Sequence, residues 1–104
     1  AGSPAEWLEA TRRILYQPDL SQERRFWADE HLFKSGVRSN VRIPLIYQAS
    51  FLGFLGLHSK TPHAYDDPRL SRLLEEAVGL LAPAVAHQQL FQRLGYPARG
   101  QGAL

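Results

Sequence analysis

The chain of 104 residues contains no cysteine and no methionine. The absence of cysteine excludes disulfides, thiolate nucleophiles, cysteine-held metals and thioether-linked cofactors within these residues. No apolar run approaches the roughly 20 residues needed to cross a bilayer, and no basic segment followed by an apolar one opens the chain. We therefore expect a cytoplasmic domain that does not insert into a membrane.

Charge of neither sign is concentrated in one part of the chain. Twelve basic and ten acidic residues give a formal charge of +2, and the basic residues are spread without forming a block. Nucleic-acid-binding proteins usually gather basic residues on one face. We therefore expect no nucleic-acid partner, and this expectation would be overturned by one positive surface formed from Arg24, Arg25, Arg38 and Arg42.

Acidic residues are also absent from residues 36–65, and this stretch offers no obvious nucleophile. Its apolar residues alternate, which predicts a strand over 41–48 and, after a hairpin turn, a second strand over 51–59. Pro44 cannot donate a ladder hydrogen bond, so the first strand should have a gap or a free side there. The second strand is apolar on both faces, which is typical of a strand in the middle of a sheet.

Two helices are predicted before these strands. Residues 3–6 carry a capping-box signature, and the apolar spacing that follows predicts a helix to about Leu15. A second helix, either continuous or short and broken, is predicted between a cap at Ser21 and a stop at Gly36.

A long helix is predicted from residues 66–68 to Leu94, and we expect a flexible tail over 95–104. It carries two heptad-spaced rows, which are Leu70, Leu74, Ala77, Leu81, Ala84, Gln88, Phe91 and Leu73, Ala77, Leu80, Ala84, His87, Phe91, Leu94. Either one row packs on the sheet while the other meets a partner helix, or both form one wide stripe that faces the core. Pro83 removes the hydrogen bond to the Gly79 carbonyl, so a bend is expected there.

Five segments carry a family resemblance by their order and spacing. They are residues 36–39, 43–46, 53–59 (GFLGLHS), 62–65 (PHAY) and 70–94. Together they resemble the C-terminal two-thirds of a GAF domain. The resemblance implies an α+β fold over 1–104, with a shortened GAF-like antiparallel sheet packed against the long C-terminal helix and the N-terminal helices. It also implies a non-enzymatic sensory or regulatory module that works with an output domain in a histidine kinase, a cyclic-dinucleotide enzyme or a transcriptional regulator.

The chain departs from that family at its beginning. GAF domains generally start with a helix and two or three strands that have no counterpart before Ser3. In the family's strand order the 51–59 strand pairs with the first of these strands, so its apolar edge would be exposed here. We therefore expect a homodimer in which a second copy covers this edge and one helix row. The expected contact residues are Phe51, Leu55, Leu73, Leu80, His87 and Leu94.

The sequence contains no constellation of catalytic residues, and we expect no cofactor. Its four histidines lack the spacing of metal ligands, so we also expect no metal. The absence of cysteine disfavours the bilin-binding and methionine-sulfoxide-reducing members of the resembled family, and the Asn-Lys pair of its cyclic-nucleotide-binding members is missing. The residues that could line a small-molecule pocket are Phe26, Trp27, His31, Phe33 and Arg38. We nevertheless expect their three large aromatic side chains to pack in the core.

Two functional hypotheses follow. In the first, the chain is a GAF-like regulatory module that dimerises, binds a small molecule and passes the signal along its last helix. In the second, it is a pure association domain that binds nothing small. A cavity lined by polar and aromatic side chains would favour the first, and a filled sheet face would favour the second.

Overall fold

The computed structural model describes residues 2–93. Its elements are α1 (Pro4–Thr11), β1 (Leu15–Gln17), α2 (Trp27–Lys34), β2 (Ser39–Tyr47), β3 (Ser50–Ser59) and α3 (Pro68–Arg93). The α+β prediction is therefore confirmed, including the long C-terminal helix. Leu94 and the expected tail over 95–104 lie outside the described residues. Within 2–93, no helix combines the length and apolar character that a membrane span needs.

Helix α1 begins as predicted but ends earlier. The Ser3 hydroxyl accepts a hydrogen bond from the Glu6 N–H, and the Glu6 carboxylate accepts one from the Ser3 N–H, which forms the capping box. The predicted continuation to Leu15 is wrong, because Arg12 adopts the left-handed conformation (φ 58°) and ends the helix. Leu15 then pairs with Arg42 as part of β1, an antiparallel neighbour of β2.

Helix α2 begins at Trp27, so the predicted start at Ser21 is also wrong. The Asp19 carboxylate accepts hydrogen bonds from the Ser21 N–H (2.9 Å) and hydroxyl (2.6 Å). These bonds favour a turn over a helix there. The end of the helix is as expected, because Gly36 has a φ of +100°, a conformation that favours glycine.

The three strands form one antiparallel sheet in the order β1-β2-β3. The predicted hairpin is confirmed, since Tyr47 lies opposite Ser50 and only two residues connect β2 to β3. Those residues, Gln48 (φ 49°) and Ala49 (φ 69°), both have positive φ. Positive φ at both positions is the requirement of a type I′ turn, the connection that suits the twist of a hairpin.

The two outer strands leave parts of the described sheet open. The two apolar faces of β3 are typical of a strand in mid-sheet, but within residues 2–93 it lies at the edge and pairs only with β2, as the family resemblance led us to expect. On the other side of β2, β1 has three residues, and its pairing reaches no further along β2 than Arg42. Beyond that point β2 has no described neighbour on its β1 side, which agrees with the free side expected at Pro44.

Apolar side chains cover both faces of the sheet. On one face, buried Val41, Ile43 and Leu45 pack with Val78 of α3. On the other face, Leu8 of α1, Leu15 of β1 and Phe26 form a second cluster. The sheet is therefore a middle layer, with α3 on one side and the N-terminal helices on the other.

Helix α3 carries a buried row and a separate exposed row. The sheet-facing row is Leu74, Val78, Ala82 and Val85, of which Val78 and Ala82 are buried. We call Leu73, Ala77, Leu80 and Ala84 the exposed row, because all four are exposed and Leu80 is 84% exposed. A single wide core-facing stripe is thus excluded for these residues. The first predicted row does not face the sheet as a whole either, because its Leu81 is 40% exposed.

Candidate functional site

A closed set of three polar side chains lies between α2 and the sheet, and we call Gln17, Asp29 and Arg42 the buried triad. All three are at most 4% exposed. Asp29 Oδ2 accepts hydrogen bonds from Gln17 Nε2 (2.7 Å) and from the backbone N–H groups of Arg25 and Phe26 (2.9 Å each). Arg42 Nη2 donates to Asp29 Oδ1 (3.0 Å), and Arg42 Nη1 donates to Gln17 Oε1 (2.8 Å).

The carboxylate of Asp29 is ionised in this environment. Burial alone would raise its pKa, but hydrogen bonds from the Phe26 N–H, Gln17, Arg42 and the Arg25 N–H together hold the pKa below 3.8. The charge of Arg42 is thereby neutralised inside the protein. The ion pair joins the first turn of α2 to the central strand, while Gln17 brings in β1.

Two further polar residues extend this region along the sheet. Asn40 lies opposite His58 in the β2–β3 ladder and is fully buried. Both polar side-chain atoms of Asn40 lack a hydrogen-bond partner among the described residues. Burial, and then the nearby charge of Arg42, lower the pKa of His58 below 6.5, which favours neutral imidazole.

Four of the five pocket candidates form two separate pairs, and Phe26 belongs to neither pair. Arg38 stacks on the Phe33 ring (4.2 Å), and Trp27 contacts His31 edge to face (4.4 Å between ring centroids). Phe26 is buried in the cluster with Leu8 and Leu15. The expectation that Trp27 packs in the core is wrong, since this side chain is 77% exposed.

The four arginines that could have formed a positive surface have different surroundings. Arg42 is buried against Asp29, so it contributes nothing to a surface. Arg24 pairs with Glu30 (2.8 Å), while Arg38 donates to the carbonyls of residues 33 and 37. Arg25 stacks near the rings of residues 7 and 26.

Among the dimer-contact candidates that the structure describes, three side chains are exposed and two are half-buried. Leu73 and Leu80 are 60% and 84% exposed, and His87 is also exposed. Phe51 and Leu55 are half-buried, because Phe51 packs with the Leu8 cluster and Leu55 with the α3-side cluster.

Among the residues that the structure describes, open clefts away from the buried triad include two of similar size. One, of about 400 Å³, is lined by the start of α1 together with Trp7, Arg25 and Phe26. The other, of about 540 Å³, lies where residues 12–14, the end of β2 and α3 meet, and we call it the side cleft. Its apolar lining residues are Ile14, Ile43, Pro44, Ile46 and Val78. Its other lining residues are Arg12, Arg13, Glu75 and Gly79.

An exposed polar cluster fixes the loop before α3. The Tyr16 hydroxyl donates a hydrogen bond to Asp66, which also contacts His63 Nδ1 (3.1 Å). Burial and this hydrogen bond raise the pKa of Tyr16 to about 12, so the phenol stays protonated and acts as a donor. In the part of the chain that the structure describes, no group of three His, Asp or Glu side chains could hold a metal ion.

Sequence reasoning missed the buried triad. No role was assigned to Gln17 or Asp29 from the sequence, and Arg42 was considered only as part of a possible positive surface. One signal was available, because an acid in the first turn of a helix satisfies free N–H groups, and Asp29 follows Phe26 at that spacing. No sequence pattern predicted that Arg42 would be its partner.

Comparison with known proteins identifies the fold. No family model matches the sequence, and no curated protein matches it. Among solved structures, the chain is similar to the GAF domain region of a Geobacter sulfurreducens protein, at 24% identity and a TM-score of 0.66. It is also similar to the type II free methionine-R-sulfoxide reductase of Thermoplasma acidophilum, at 17% identity and a TM-score of 0.69. A further similar structure is GAF3 of Slr1393 from Synechocystis, at 19% identity and a TM-score of 0.68.

These matches include most of this chain but only part of each other structure. They cover 81%, 84% and 90% of this chain, and 56%, 58% and 63% of the Geobacter, Thermoplasma and Synechocystis chains respectively. The chain thus spans less than two thirds of the structures it matches. The strand order, the α3 packing and these similarities lead to one conclusion: the chain has a GAF-like fold.

Proposed function

We propose that this domain is a regulatory module of a signalling protein and that it associates with a second copy through α3. The exposed row of α3 carries this proposal. Leu73, Ala77, Leu80 and Ala84 repeat at alternating steps of four and three residues, the spacing of a helix that packs along another helix. The sheet is already covered by the buried row, so the exposed row is free for a different contact.

The composition of the exposed row suits close helix packing. Its two leucines supply apolar area, and its two alanines allow another helix to approach closely. At 1.5 Å per residue, the 26 residues of α3 extend about 39 Å, which is longer than the sheet requires. One helix therefore contacts the sheet on one side and can contact a partner on another, which is a suitable arrangement for passing a change in the domain to an output domain.

Non-enzymatic regulation is the role proposed for the module. This chain contains no cysteine and offers no nucleophile paired with a base in the buried triad. We place it in a longer cytoplasmic protein such as a histidine kinase, a cyclic-dinucleotide enzyme or a transcriptional regulator, with no nucleic-acid partner of its own. The homodimer covers the exposed row, and the edge of β3 is a second surface that it can cover.

A pure association domain is the second candidate. The observation in its favour is that the sheet face beneath α2 is filled, because Phe26 and the ion pair of Asp29 with Arg42 occupy it. The two candidates share the self-association and differ in whether a small molecule is bound.

Single cysteines test the proposed contact cleanly, because the chain has none of its own. We expect oxidation to form disulfide-linked dimers when cysteine replaces one or more members of the exposed row, as in Leu73→Cys, Ala77→Cys, Leu80→Cys and Ala84→Cys. Arg72→Cys is the matched control, since residue 72 is exposed but lies outside both rows. Equal dimer yield from the control, or no dimer from any row position, would refute the proposal.

A further inference from the structure

The side cleft has an apolar floor and a charged rim. Ile43 and Val78 are buried in its floor, where they also belong to the core, so their positions are fixed by packing. Arg12, Arg13 and Glu75 are exposed at its rim. Such a combination of a rigid apolar surface and a few polar groups is typical of small-molecule sites.

The rim carries a net positive charge, and neither of its two arginines makes an ion pair among the described residues. Arg12 is held in place, because its guanidinium donates to the carbonyls of Glu9 (3.0 Å) and Ala49 (3.0 Å). Arg13 and Glu75 make no ion pair within the described residues. Two arginines and one glutamate give the rim a formal charge of +1, which favours an anion.

Gly79 forms part of the wall, and no described residue gives a packing reason for a glycine there. Among the described residues, a Cβ added at this position would meet no atom within 4 Å. Glycine weakens a helix interior relative to alanine. A glycine with open space beside it in mid-helix is therefore suited to the close approach of a ligand to the backbone. In addition, Pro83 has no N–H, so the Gly79 carbonyl lacks the donor that an uninterrupted helix would supply.

We propose that the side cleft binds an organic monocarboxylate with a short apolar body. The carboxylate lies beside the guanidinium groups of Arg12 and Arg13, and the apolar body lies on the floor formed by the end of β2 and α3. A simple amine is disfavoured by the same charge that attracts the acid. This site goes beyond the proposed function, because it is a different surface from the exposed row and binding there does not require self-association.

The first experiment compares three probes that have the same apolar chain and different head groups. Hexanoate, 1-hexanol and hexylammonium are titrated into the ¹⁵N-labelled protein, and amide chemical shifts are followed. We expect the affinity order hexanoate, hexanol, hexylammonium, with hexanoate binding at about 1 mM, as is usual for so small a ligand. The shift changes should be confined to residues 12–14, 43–46 and 75–79.

Two substitutions should change hexanoate affinity in opposite directions. Arg13→Gln removes an exposed attraction and should weaken binding about threefold to tenfold, whereas Glu75→Gln removes a repulsion and should tighten it about twofold. Neither should change hexanol binding. Arg72→Gln makes the same change in net charge outside the cleft and should leave hexanoate affinity as it is.

A third substitution tests the location. Gly79→Leu has room for its Cβ and should obstruct the cleft, which weakens the binding of all three probes. Amide shifts far from the cleft serve as the check that each variant is folded. The proposal is overturned if hexylammonium binds as tightly as hexanoate, if Arg13→Gln and Arg72→Gln have the same effect, or if the shift changes lie elsewhere.

Discussion

At the scale of the residue, Asp29 is the side chain on which the local structure depends most. It is fully buried, it accepts four hydrogen bonds, and these reach a helix start and two strands. Buried ion pairs contribute little against an apolar replacement of the whole pair, but removing one partner leaves an uncompensated charge. Asp29 is therefore needed because Arg42 is present.

Replacing Asp29 by Asn should destabilise the protein strongly. The variant keeps the shape but leaves the charge of Arg42 buried without a counterion, so we expect the free energy of unfolding to fall by about 3 kcal/mol. Glu30→Gln is the control, because it removes the exposed pair with Arg24 and should cost less than about 1 kcal/mol. Urea denaturation at neutral pH measures both. Equal losses of unfolding free energy in the two variants would show that the buried ion pair contributes no more to stability than the exposed one.

The same residue predicts how stability depends on pH. The pKa of Asp29 in the folded protein lies below 3.8, so its carboxylate contributes stability that is present above that value. This contribution is lost as the pH falls through the folded-state pKa. The difference in unfolding free energy between the wild type and Asp29→Asn should therefore shrink as the pH falls from about 6 to below 3.8. A difference that stays constant over this range would contradict the assignment of an ionised Asp29.

At the scale of the element, the sequence predicted regular segments better than their ends. The period-two alternation identified β2 and β3, and the capping signals identified the starts of α1 and α3. The short β1 was missed because three residues are too few to show a period, and Leu15 also fits the helical spacing of α1. Which row of α3 faces the sheet depends on a rotation set by packing, so local sequence could not determine it.

The hairpin turn contains an alanine where glycine is preferred. Ala49 has a φ of 69°, a left-handed conformation that costs a residue with a Cβ about 1 kcal/mol. Ala49→Gly should therefore raise the free energy of unfolding by about that amount. Ala10→Gly is the control, because it increases the flexibility of the unfolded chain in the same way. Since Ala10 lies on the exposed face of α1, this change should lower stability. If both variants lose stability, the strain at Ala49 is negligible.

The proline inside α3 should also limit stability. Pro83 is exposed within α3, at the position where the sequence predicts a bend. Pro83→Ala restores the donor for the Gly79 carbonyl, so we expect the free energy of unfolding to rise by about 1 to 3 kcal/mol. Thermal or urea denaturation measures this directly. Unchanged or lower stability would indicate that the sheet requires a bent α3.

At the scale of the whole molecule, two surfaces of the described residues are open to a partner. Within residues 2–93, β3 has a strand partner on one side only, and α3 presents the exposed row. A long unpaired strand edge promotes pairing with another chain, and exposed leucines along a helix promote helix association. The family resemblance led us to expect the open edge of β3, whereas the heptad spacing left a second row and a single wide stripe as alternatives for α3.

The most direct test of the central claim is sedimentation velocity at micromolar concentration on the wild type, Leu80→Glu and Arg72→Gln. Both substitutions make the net charge more negative by one, but only Leu80 belongs to the exposed row, where it is 84% exposed. We predict a dimer for the wild type and Arg72→Gln, and a folded monomer near 11.7 kDa for Leu80→Glu. A wild type that is a folded monomer, or a Leu80→Glu variant that dimerises as well as the wild type, would contradict the claim.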